Sequence, residues 1–99
     1  MHKIKKYVED IEEELEDAKK YAEMYVEMKV KNNQSAAQKL KEMASDELKH
    51  ASYIHEWAVK DIEEISKVYT PPVDMLEKWE KAHKNYVEEA ALIKQMLSM

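Results

Sequence analysis

The chain has 99 residues, 37% of them charged, a formal net charge of −5, no Gly, no Cys and two Pro. Without Cys there are no disulfides, thiolate metal sites or thiol catalysis, so any metal must sit on Glu, Asp or His. The acidic balance, with Lys interleaved among Glu and no basic stripe, argues against a nucleic acid partner. No apolar run approaches the roughly 20 residues that span a bilayer, and no apolar signal core follows Met1. The expectation is a single cytoplasmic domain, residues 1–99, with no membrane partner.

Apolar residues at Ile4, Tyr7, Val8, Ile11, Leu15, Ala18, Tyr21, Ala22, Tyr25 and Met28 recur at helical spacing and predict a first helix over about 3–31. Asn32 and Asn33 end it, because Asn tolerates the left-handed conformation, and Ser35 with Gln38 suggests a capping box for the next helix. That second helix, 35–69, has its stripe at Leu40, Met43, Ala44, Ala51, Ile54, Trp57, Ala58, Ile62 and Ile65. Thr70-Pro71-Pro72 stops it. A third helix over 71–97, capped by Thr70 and opened by Pro71, carries Val73, Leu76, Trp79, Tyr86, Val87, Ala90, Ile93 and Leu97. Asp74 and Glu77 offer a second capping box. Short turns make neighbouring helices antiparallel, so the fold class is all-α, an up-down-up bundle of three long helices. Stripes this wide on a thin domain predict a homo-oligomer, a dimer or larger.

The informative residues are polar ones on these inward stripes, because an unpaired buried carboxylate costs several kcal/mol. Glu14 lies on the row Tyr7, Glu14, Tyr21. Glu47 and His50, three apart on one face of the second helix, can reach a common ion. Counted from the turn near Asn33, Glu14 is nineteen residues before and His50 seventeen after, so they lie at one height. Glu80 and His83 repeat the spacing on the third helix and form a second candidate pair. Folding back at Thr70 puts them roughly 10 to 15 Å from the level of Glu47, where Glu89 is nearer. His55, about 140° round the helix from His50, is expected to face solvent, and His2 to sit at a frayed terminus. The Trp, Tyr and Met residues read as core and core-edge packing.

A Glu on one helix with Glu-x-x-His on the next is half of the carboxylate di-iron site built inside four-helix bundles. The segment Leu40-Lys41-Glu42-Met43-Ala44-Ser45-Asp46-Glu47-Leu48-Lys49-His50-Ala51 resembles the second helix of ferritin-like and rubrerythrin-like proteins, and Glu14 seven before Tyr21 resembles their first. The likeness covers residues 7–65. It departs from the family in having three helices and no long crossover, as in a short, half-bundle member. The resemblance implies a di-iron site shared across a dimer, with Glu14 and Glu47 as carboxylate ligands and His50 as nitrogen ligand. It also implies oxidation or handling of Fe(II), with protection against oxidants. The same residues admit another reading: Glu47 in an ion pair at a bundle edge, His50 as a hydrogen-bonded core histidine, and the chain as a metal-free acidic helical module, an adaptor or inhibitor, for a protein partner.

Overall fold

The structure, a computed structural model, describes residues 2–99; the side chain of His2 lies outside the described residues. Three helices make a bundle of 55 × 17 × 17 Å: α1 His2–Val30, α2 Gln34–Val68 and α3 Val73–Leu97. No strand occurs among the described residues. Tyr7 donates to Asp61 at 2.9 Å while Glu14 meets His50, so α1 and α2 are antiparallel. Ile4 and Val8 share a pocket with Trp79, and Lys19 lies 4.0 Å from Glu89, so α3 runs parallel to α1. Among the described residues no helix is long and apolar enough to cross a membrane.

Two adjacent asparagines make the first turn. Asn32 takes φ 59°, its N–H bonds to the Lys29 carbonyl at 3.1 Å, and Asn33 N–H bonds to the Met28 carbonyl at 2.8 Å, the hydrogen-bond pair of a Schellman close. Asn33 then opens α2, its side-chain oxygen accepting from Ala36 N–H at 3.2 Å. The cap is therefore Asn33 and not Ser35; Gln38 bonds instead to Glu42. At the second turn, α3 starts at Val73 with Pro72 as its cap, two residues later than the Thr70 cap implies. The reason is steric: a residue before proline is driven from the helical region, and both Thr70 and Pro71 precede one. Asp74 sits in the first turn of α3.

The core follows the stripes with one refinement. On α2 the buried residues Ala37, Ala44, Ala51 and Ala58 recur every seventh position, each at most 2% exposed, and face Ala18 and Ala22 among the core of α1. A seam of methyl groups lets two helix backbones approach closely, and a strict seven-residue repeat favours a left-handed wrap. Ala51→Leu forces a larger side chain into this seam. It should destabilise the fold by about 1–3 kcal/mol in urea unfolding; a neutral result would contradict the close approach. Several stripe residues lie outside the core: Met43, Trp57, Val73 and Val87 are exposed. Three helices bury only part of each wide stripe, which leaves the flank without a neighbour.

Candidate metal centre

Glu14 projects from the α1 row that borders α2, and Glu47 and His50 project from successive turns of α2 beside the alanine seam. Each contributes one ligand atom to a set whose members all lie within 4.8 Å of one another, the only such group of three or more among the described residues. His50 Nδ1 is 3.5 Å from Glu14 Oε2 and 3.9 Å from Glu47 Oε1. The two carboxylates are largely enclosed, with side-chain exposures of 26% and 22%, whereas the imidazole is 54% exposed. The centre thus has a closed floor and an open side.

Its electrostatics are those of two carboxyls held close together. Glu14 Oε2 is buried and has no hydrogen-bond donor. His50 Nδ1, 3.5 Å away, makes no hydrogen bond to it, whereas a proton on Glu47 supplies a donor. The hydrogen bond from Glu47 to Glu14 is the main reason the Glu47 carboxyl is pushed up to about 7, reinforced by burial and by the charges of Glu14 and Asp17, and opposed by His50. Glu47 is therefore half-protonated near neutrality, where an ordinary carboxyl is ionised. A cation placed among the three groups would replace the proton and satisfy the orphaned oxygen of Glu14. Two carboxylates and one imidazole suit a hard or borderline divalent ion.

The second candidate pair is arranged differently. Glu80 is exposed, and His83 turns toward α2, where His55 Nε2 and His83 Nδ1 are 2.7 Å apart. His55 is half-buried rather than solvent-facing. Its ring stacks on Tyr86 at 4.6 Å and lies 5.1 Å from Trp79, and burial, then the His83 charge, lowers its pKa. The signal for this pairing was in the fold-back count: about fifteen residues either side of the proline turn, His55 and Tyr86 share a height. The 140° that separates His55 from His50 turns it toward α3. Glu89 is occupied near Lys19, away from Glu47. Asp17 is half-buried, and its charge acts on Glu47.

No protein-family model matches the chain, and comparison with curated proteins and with solved structures gives no match either.

Proposed function

We propose that the chain is a ferritin-like protein that handles Fe(II), with Glu14, Glu47 and His50 as half of a two-metal carboxylate site that a second copy completes. The observation that carries this reading is the enclosed Glu14 Oε2, which makes no hydrogen bond, set against a Glu47 carboxyl pushed up to about 7, both within reach of His50. The donor set fits iron: two hard oxygens and one borderline nitrogen per chain. Glu14 and Glu47 would hold and neutralise the ion, His50 would offer Nδ1 from the open side, and Glu47 would release its proton on binding. Iron bound there supplies one-electron exchange between its ferrous and ferric states.

Dimer completion is supported by the face on which the site lies. Exposed Met24, Met43 and Trp57 flank the acids on the two adjoining helix rows, and an apolar border round an acidic centre is what a copy of the same hairpin would cover. Four helices and two half-sites then make the family arrangement.

The test is an aerobic Fe(II) titration with metal analysis, ferric absorbance and sedimentation, run beside Glu47→Ala. Two irons per dimer, with a rapid oxidation phase lost in the variant, are expected. Absence of stoichiometric binding, or equal binding by Glu47→Ala, rejects the proposal and leaves the metal-free helical interaction module.

A further inference from the structure

The bundle has a second unpartnered feature, remote from the carboxylates. α1 packs against both other helices, but α2 and α3 meet mainly at the His55, His83 and Tyr86 cluster. Beyond that cluster, toward the asparagine turn, the two helices leave a groove of about 450 Å³ between them. The gap exists because the residues facing it are small: Ser45 and Ser52 on α2, Ala90 on α3. Its floor is apolar, from Leu48, Tyr86 and Leu97, and its rims carry Lys41 and Lys49 on one side and Lys94 on the other.

No acidic residue lines the groove, and its three lysines, Lys41, Lys49 and Lys94, are among the ten of the sixteen that reach no carboxylate within 4.0 Å among the described residues. The sequence withholds partners from them. No acidic residue stands three or four positions from Lys41 or Lys94, only Asp46 does so for Lys49, and none occurs from Ala90 to Met99. In a chain of net charge −5, a cationic and apolar groove is a local reversal of sign.

We infer that this groove is a docking site for an amphipathic helix of a partner protein, one whose apolar ridge is flanked by carboxylates. Its length decides against a small anion: Lys41 and Lys49 are eight residues apart, about 12 Å along the helix, beyond the reach of one carboxylate or phosphate. The groove runs about three turns, 41 to 52, and is open along its length. An acyl chain there would stay wet on its outer side, whereas a helix laid between α2 and α3 presents its own polar face to water. Such a helix would make a fourth member opposite α1, at ordinary helix packing distance.

The probe is a fluorescein-labelled, 18-residue synthetic helix of Leu and Ala with flanking Glu, read by anisotropy against the full chain, beside the same peptide with Lys for Glu. The Glu peptide should bind and weaken with salt. Lys49→Glu with Lys94→Glu should weaken it at least tenfold while leaving helicity by circular dichroism unchanged, and the doubly reversed chain should then prefer the Lys peptide. Equal binding of the two peptides to the original chain overturns the proposal, as does undiminished Glu-peptide binding to the double variant. If the double variant changes the oligomeric state and not peptide affinity, the groove belongs to an interface between copies and the proposal also fails. Neither lysine belongs to the Glu14, Glu47 and His50 set, so iron titration of the double variant reads the carboxylate centre separately from the groove.

Discussion

Ile93→Ala should lower the unfolding free energy by about 2–5 kcal/mol and the melting temperature by roughly 10 to 30 °C. Ile93 is fully enclosed, one of the two largest side chains in that state, and it anchors α3 with Trp79, Ala90 and Leu97. Truncation removes its transfer energy and leaves a cavity that straight helices cannot collapse to fill. A domain of this kind has about 5–15 kcal/mol in total, so the loss is a large share of it. Leu92→Ala is the internal control, because Leu92 is adjacent, similar in size and 43% exposed; it should cost well under half as much. Equal effects in thermal and urea unfolding would mean that α3 does not dock by this face.

Glu47→Gln should abolish the fall in stability that Glu47 gives the metal-free protein between pH 5 and 8. The folded-state pKa, about 7, lies above the ordinary carboxylate value of 4.5, so the folded chain binds this proton more tightly than the unfolded one. Its stabilising contribution is complete below about pH 4.5 and is lost as pH rises through 7. Urea unfolding with a chelator present should therefore show stability from Glu47 falling between pH 5 and 8. Gln, permanently neutral and able to donate to Glu14, should flatten that profile and gain about 1–3 kcal/mol at pH 8. Parallel profiles for the two proteins would show that Glu47 ionises normally. Divalent metal should reverse the wild-type trend, because it displaces the same proton.

Helix number and the Asn turn were legible because nothing in the chain competes with helix. There is no Gly, and the single proline pair and the asparagine pair are the only strong breaks. Grouping of Glu14, Glu47 and His50 was legible for a related reason: long uninterrupted helices make residue number a ruler of height. Rotation about the helix axis was less so. A stripe wide enough to face two neighbours looks the same as one that faces a single neighbour and water, which is why Trp57 and Met43 were read as core. The proton on Glu47 depends on the separation of two carboxyls, and that is set by the seven-residue alanine repeat on a different row of α2. His55 was hidden because its partner stands 28 residues away on a helix that α2 otherwise scarcely meets.

The order in which the helices associate bears on how such a chain matures. α1 and α2 are joined by a turn of three residues and close on each other with little loop entropy, while α3 must find Ile4 and Val8 some seventy positions earlier. Glu14, Glu47 and His50 all belong to the earlier pairing. Loop closure therefore favours the α1–α2 hairpin first, and the carboxylate centre forms with that hairpin, open to ions before α3 has docked.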